Sequence, residues 1–181
     1  MLFTSLKSEL VYINGMDMYN LKALDVASFF IKKGVSPLKL QKLLYYAQLW
    51  FFVKNKEKLF DNEISAWIYG PVVYEVWNEF KFVKRNAIIP KFRASNPDLS
   101  LVNDYLDDIW SSYGHLSGAQ LIDLTHNEKP WKNSRKGLLS HIPSRNEVVI
   151  NTNTTTDFML MPNNTIPRMA NEHSLGNYSN Y

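Results

Sequence analysis

The most constraining feature of this sequence is the stretch at residues 36–55, SPLKLQKLLYYAQLWFFVKN, which is apolar on nearly every helical face beyond Leu43. Ser36 is a favourable N-cap and Pro37 a favourable first-turn residue, so a helix is predicted to begin here. A helix without a wide polar face is normally buried among other elements. The sequence therefore predicts a mainly α, single compact multi-helix domain built around this central helix.

About six helices in total are predicted from apolar spacing and capping signals. The first runs from about Asn20 to Gly34, and the second is the central helix. The third has Gly70 as its cap and Pro71 in its first turn, and it continues to Val83. The others begin at three signals, which are Asn96-Pro97 for a helix ending at Gly114, the capping box of Ser117 with Gln120, and Pro130 for PWKNSRKGLL.

Two segments remain open at this level. Residues 63–70, EISAWIYG, fit either a short extended piece or a helical turn, and NEVVINTNTTTDFMLM, which begins at Asn146, fits either strand or helix. Within the second segment NTNTTT is a poor helix former. The domain is expected to span residues 19–161, with a leader of uncertain role at 1–18 and a flexible, Asn-rich tail at 162–181 that lacks the apolar surface needed for ordering.

Several classes of protein are disfavoured by composition. The chain has no cysteine, which excludes disulfides and thiolate metal ligands. The N-terminus lacks the apolar core of a signal peptide. The most apolar run, residues 43–53, is shorter than the roughly 20 residues of a membrane span. A cytoplasmic protein without membrane contact is expected.

The charge pattern gives little support to nucleic-acid binding. The net charge is +3, and the Lys and Arg residues are scattered rather than gathered into a stripe that would follow phosphates. A DNA-binding autoregulator is thus a minor alternative. The glycine-rich phosphate-binding patterns and the GxSxG elbow are missing from the sequence, and no cofactor is expected.

The densest polar cluster is LTHNEKPW, which contains His126 and Glu128. A histidine beside a carboxylate could serve a hydrolase as general base and orienter. The favoured interpretation is structural: such residues satisfy the unpaired groups of a helix end, while Pro130 and Trp131 anchor the next turn. The spacing of His115, His126 and His141 matches no metal-ligand pattern, so no metal is expected.

Aromatic residues make up 14% of the chain, and two pairs of them admit two roles. Trp67 with Trp77, and Tyr45 with Tyr46, could fill the core or could anchor a protein interface. Core packing is favoured for each residue taken singly, because apolar residues at helical spacing mostly face inward.

The succession ALDVASFFI, SPLKLQKLLYYAQLWF, ISAWIYGPVVYEVW and YGHLSGAQLIDLTHNEKPWKNSR resembles the Panacea domain of SocA-like antitoxins, also described as phage-associated GepA-like proteins. The resemblance covers about residues 24–135. Its signature falls on three groups of residues: Leu40, Gln41, Lys42, Leu43, Tyr45 and Tyr46; Trp67, Gly70, Pro71 and Val72; and His126, Glu128, Pro130 and Trp131.

This resemblance implies a helical antitoxin of a toxin–antitoxin system, which is not an enzyme and which neutralises a toxin encoded by an adjacent gene. It also implies that some members deliver the toxin to a protease. Family domains commonly continue into a further helix after the PW segment. Because NTNTTT at residues 151–156 is a poor helix former, this C-terminal part is expected to be replaced or degenerate here. The Gly70-Pro71 turn is expected to act as a stiff joint supporting a partner-binding surface.

Overall fold

The computed structural model describes residues 21–139 and 141–160, so the leader at 1–18 and the tail at 162–181 lie outside the described residues. The described part is mainly helical, as predicted, with one two-stranded antiparallel sheet. Its elements are α1 (Ala23–Lys33), α2 (Pro37–Asn55), β1 (Ile64–Trp67), β2 (Gly70–Val73), α3 (Tyr74–Phe80), a 3₁₀ turn (Lys91–Arg93), α4 (Asn103–Tyr113), α5 (Gly118–Asn127), α6 (Lys129–Ser134) and α7 (Thr152–Met159).

Helix α2 is the central helix, as its apolar circumference predicts. Ser36 caps it by accepting a hydrogen bond from the Lys39 backbone N–H, and every residue from 40 to 51 is buried. It packs against α1, α3, α4, α5, α7 and β2. Gln48, one of the polar groups that needed a partner, is satisfied inside: its amide accepts from the backbone N–H groups of Leu59 and Phe60.

The prediction that Pro71 starts a helix is wrong. Residues Gly70–Val73 form β2, which pairs with β1 so that Trp67 lies opposite Gly70, and α3 begins only at Tyr74. The β-branched pair Val72-Val73 favours extended backbone, and the Gln41 side chain accepts the Val73 N–H at 2.8 Å. Residues 63–70 are therefore mostly strand and turn.

The helix predicted from Asn96-Pro97 begins later, at Asn103, although its end before Gly114 is as predicted. The chain before it is held in a non-helical path by side chains. Ser28 Oγ on α1 accepts the Ser95 N–H at 3.0 Å, and Asp98 Oδ1 accepts the Ser100 N–H at 3.0 Å in a local turn. These hydrogen bonds compete with a helical first turn.

The two helices that follow Gly114 begin near the predicted positions. The capping box of Ser117 with Gln120 is present at the start of α5, and the helix around Pro130 is shorter than predicted, ending at Ser134.

The C-terminal part forms more regular structure than its composition predicts. NTNTTT was expected to be a poor helix, yet it forms most of α7. Asn151 and Thr154 make a reciprocal capping box, and buried Phe158 packs on Trp50 with ring centroids 5.3 Å apart, so local capping and core packing outweigh low propensity.

Residues 146–148 add a short extended contact to the sheet. The segment that begins at Asn146, for which the sequence allowed strand or helix, is thus extended at its start and helical in α7. Asn146 accepts the Ala66 N–H at 2.7 Å, and Val148 donates to the Ile64 carbonyl at 2.6 Å. The chain thus returns, before α7, to the antiparallel pair β1–β2, which we call the hairpin. Across the described residues, no helix is both long enough and apolar enough to cross a bilayer.

Candidate functional site

The signature residues of α2 and of the α5–α6 corner meet inside the protein. Glu128 is fully buried, and its two carboxyl oxygens accept the Tyr45 hydroxyl at 2.9 Å and the Tyr46 hydroxyl at 2.6 Å. Burial raises the pKa of Glu128 to about 8, while the two tyrosine hydrogen bonds act in the opposite direction. The Glu128 carboxyl is therefore mostly neutral at pH 7, and these three residues form what we call the tyrosine–glutamate network.

The network extends into the aromatic core. Tyr46 stacks on Tyr113 with ring centroids 4.0 Å apart, and the Trp50 indole N–H donates to the Tyr113 hydroxyl at 2.6 Å. Burial, together with the charge of Glu128, raises the pKa values of Tyr45 and Tyr46 well above the ordinary value for tyrosine. Both tyrosines thus remain neutral hydrogen-bond donors in the core.

The neighbouring signature residues of α2 hold the hairpin. Lys42 is fully buried and its Nζ donates to the Pro71 carbonyl at 2.9 Å. Burial, and secondarily the positive charge of Arg85, lowers the pKa of Lys42 to about 7. Gly70 has a φ of 95°, and a Cβ there would lie 2.7 Å from Lys42 Cε. Only glycine accommodates both this left-handed backbone and this close approach.

Residues of α6 and of its C-terminal end also hydrogen-bond to strand β1 of the hairpin. Trp131 Nε1 donates to the Trp67 carbonyl at 3.1 Å, and the Arg135 guanidinium donates to the Ala66 carbonyl at 3.3 Å. His126 stacks on Trp131 with ring centroids 4.1 Å apart. Burial and then the charge of Lys42 lower the pKa of His126. Arg135 was missed by the sequence reasoning, because its spacing carries no signal that it would reach the sheet.

The structure brings Gln41, Lys42 and Trp131 into contact with the hairpin and Tyr45, Tyr46 and Glu128 into contact with one another, but it does not build the candidate acid–base pair. Both Glu128 oxygens are bonded to tyrosines, and no hydrogen bond joins Glu128 to His126 among the described residues. The helix-end interpretation is also wrong for Glu128, because its side chain caps no backbone group and enters the core. In the described part of the chain, no group of three or more His, Asp or Glu side chains is arranged to hold a metal.

A surface groove of about 610 Å³ lies over the hairpin. Its walls come from the start of α2, the β1–β2 turn, α3 and the loop at 143–145. Exposed aromatic side chains lie in or beside it: Tyr69 is 53% exposed, and Tyr74 is 46% exposed and packs beside Trp77. Trp67 and Trp77, which form an edge-to-face pair 5.2 Å apart, both line the groove and are half-buried. These two tryptophans are thus shared between core and surface.

Comparison with known proteins identifies the family of the chain. The model of one protein family, described as "Antitoxin SocA-like, Panacea domain", matches residues 40–132, just over half of the chain. The match runs from the buried face of α2 through the hairpin to Trp131 and Lys132. No curated protein and no solved structure gave a match. Because this match covers more than half of the chain, the chain belongs to the SocA-like antitoxin family with a Panacea domain.

Proposed function

We propose that this protein is a non-enzymatic antitoxin that neutralises a cognate protein toxin by direct contact, with the groove over the hairpin as the contact surface. The observation that carries the proposal is the division between the inside and the outside of the hairpin. Inside, Gln41, Lys42 and Glu128 are buried and hydrogen-bonded within the chain. Outside, the hairpin that Gln41 and Lys42 contact presents the exposed Tyr69 side chain, and the first residue of α3 presents that of Tyr74.

Internal bonding of this kind favours a scaffold over a catalyst. Glu128 has no free lone-pair direction toward solvent and is mostly neutral at pH 7, so it is unsuited to act as the base or orienter of a hydrolase. A rigid hairpin, in contrast, lowers the ordering cost of binding a partner. Tyr and Trp at a surface are also the residue types that carry most of the binding free energy in protein interfaces.

Two modes of neutralisation are compatible with this surface. Contact with the toxin could block it directly, or the bound toxin could be delivered to a protease. We favour direct sequestration, because it requires only the single surface that supports the proposal. Toxin abundance separates the two modes, since sequestration leaves the toxin at its usual level and delivery depletes it.

The test is co-expression with the open reading frame adjacent to this gene. We expect induction of the neighbour alone to arrest growth, and co-expression of this chain to relieve the arrest and to yield a complex on purification. The double variant Tyr69→Glu/Tyr74→Glu is expected to lose both effects while keeping the wild-type melting temperature. Phe92→Glu is the matched control, because Phe92 is 85% exposed and does not line the groove. A toxic neighbour that the wild-type chain neither binds nor neutralises would overturn the proposal.

A further inference from the structure

The groove has an unbalanced set of charges. Its ionisable lining residues, tyrosine aside, are Lys42 in the wall and Lys81, Arg85 and Arg145 toward solvent, with no carboxylate among the lining residues. Among the described residues, the ion pairs are Lys33–Asp107, Arg93–Glu79 and Lys129–Asp157, none of which involves a groove residue. The three exposed cations of the groove are thus not neutralised by an acidic neighbour.

Two of these cations, Lys81 and Arg85, also lie against aromatic rings. The Arg85 guanidinium carbon lies 4.1 Å from the centroid of the Tyr69 ring, and Lys81 Nζ lies 5.7 Å from that of Trp77. A guanidinium stacked on a ring still presents its edge N–H donors, which match the two oxygens of a carboxylate. Stacking therefore orients Arg85 without occupying its donors.

Apart from Gln41 and Ser144, the rest of the groove is mainly apolar. Leu38, Val72, Trp77, Phe80 and Val83 line its walls, and its volume lies in the range of small-ligand and peptide pockets. Exposed aromatics continue beyond the lining, at Tyr74 and at Phe82, which is 86% exposed. A contact surface that continues past the groove suits a protein segment better than a free small molecule, which the groove alone would enclose.

We propose that the groove recognises an acidic, apolar segment of a partner protein, in which one or two large apolar side chains fill the walls and flanking Asp or Glu side chains bind Arg85 and Arg145. This inference rests on the proposed function and specifies which part of the toxin is bound. Apolar burial supplies affinity, and the carboxylates supply register and specificity. Single-stranded nucleic acid would also combine aromatic stacking with cations, but the cations here surround a pocket instead of following a line of phosphates.

The experiment begins with a random dodecapeptide library displayed on phage and selected on the immobilised full-length chain. We expect enriched sequences to place Asp or Glu within two positions of Trp, Phe or Leu. An enriched peptide is then synthesised with its carboxylates intact and with each replaced by Asn or Gln. We expect the amide version to bind at least tenfold more weakly by calorimetry, and the difference to shrink at high salt.

The protein variants use matched charge changes. The Arg85→Glu/Arg145→Glu variant is expected to bind the acidic peptide at least tenfold more weakly than wild type does. It is expected to bind a version of the peptide that has Lys in place of Asp and Glu. Lys58→Glu/Lys91→Glu makes the same change in net charge at exposed positions outside the groove and is expected to bind as wild type. Thermal melts confirm that both variants fold. No enrichment, a consensus without carboxylates, or equal binding by both variants would overturn the inference.

Two further outcomes separate this inference from the proposed function. If the wild-type chain and the Arg85→Glu/Arg145→Glu variant both neutralise the adjacent gene product, the acidic-segment inference fails while the antitoxin proposal stands. If the wild type binds acidic peptides but neutralises nothing, the antitoxin proposal fails and the groove specificity stands. Tight binding of a labelled oligo(dT) that is lost in the same arginine variant would assign the groove to single-stranded nucleic acid and overturn the inference.

Discussion

At the scale of single residues, Glu128 shows how a polar motif becomes part of a core. The sequence places it at a helix end, where a carboxylate usually remains in water or caps a backbone N–H. Helix α6 begins directly after it, and the sharp corner with α5 turns its side chain toward Tyr45 and Tyr46. Two hydroxyl donors offset part of the desolvation cost of this buried carboxyl. Its raised pKa means that the buried group is mostly uncharged at pH 7.

The first prediction concerns the pH dependence of stability. The pKa of Glu128 rises from 4.5 to about 8 on folding, so its contribution is fully present below pH 4.5 and is lost as the pH rises through 8. Lys42 acts in the opposite direction, but its lowered pKa of about 7 places its effect mainly above pH 7. From pH 5 to 7, Glu128 should therefore lower the unfolding free energy by up to about 1.4 kcal/mol per pH unit.

Glu128→Gln tests this sign. The amide keeps an acceptor for one tyrosine but cannot titrate, so urea unfolding at pH 5, 6 and 7 should give a flatter profile than wild type. Glu57→Gln, at an exposed position, is the control and should reproduce the wild-type slope. Equal slopes for wild type and Glu128→Gln would contradict a raised pKa at this carboxyl.

The second prediction concerns Gly70. Gly70 and Gly34 both have positive φ, but a Cβ at Gly70 would meet Lys42 Cε at 2.7 Å and Thr125 Oγ1 at 2.8 Å, whereas a Cβ at Gly34 would meet nothing within 4 Å. Alanine at either position should cost about 1 kcal/mol for the backbone conformation. Gly70→Ala should lose about 1–3 kcal/mol more through overpacking. Urea unfolding of both variants measures the difference, and equal losses would show that Lys42 yields without cost.

At the scale of elements, local signals marked most helix ends but not the hairpin. Ser36, Ser117 with Gln120, and the end at Gly114 were predicted because each depends on neighbours within a few residues. The second strand of the hairpin was predicted to be a helix start, because a Gly-Pro pair is compatible with both a helix start and a turn between strands. Its strand character depends on β1 and on Gln41, which is 32 positions before Val73 in the chain.

The third prediction tests the capping of α7. Asn151→Ala removes the side chain that accepts the Thr154 N–H, and it should cost about 1 kcal/mol and reduce the hydrogen-exchange protection of α7. Thr152→Ala is the control: its side chain makes no hydrogen bond among the described residues, and alanine is the better helix former, so protection should be kept or increased. If Asn151→Ala leaves exchange in α7 unchanged, packing alone holds this helix.

At the scale of the whole molecule, the core extends beyond the segment that the family model matches. The family match ends at Lys132, yet α7 lies against α6 and α2. Phe158 is completely buried against Trp50. We therefore propose that the described residues unfold as one unit, and the domain bounds of 19–161 stay a prediction.

The fourth prediction follows from this packing. Phe158→Ala should cost about 3–5 kcal/mol, because it leaves a cavity beside the central helix. Urea unfolding followed by circular dichroism and by tryptophan fluorescence should show one coincident transition at a lower midpoint. Leu160→Ala, at a side chain that is 74% exposed, should behave as wild type. Separate transitions by the two probes, or a loss below about 1 kcal/mol, would place α7 outside the cooperative core.

The sequence by itself determined the fold class, the central helix and the family, because an apolar circumference and a spaced motif are properties of the chain alone. Only the tertiary structure decided that Gly70–Val73 is a strand, that NTNTTT is helical, and that Glu128 bonds two tyrosines inside the core. It alone also placed Arg85 and Arg145 at one groove. Apart from the local Asn151–Thr154 cap of α7, these outcomes depend on contacts between residues that are distant in the chain, and local propensities of a few tenths of a kcal/mol do not compete with such contacts.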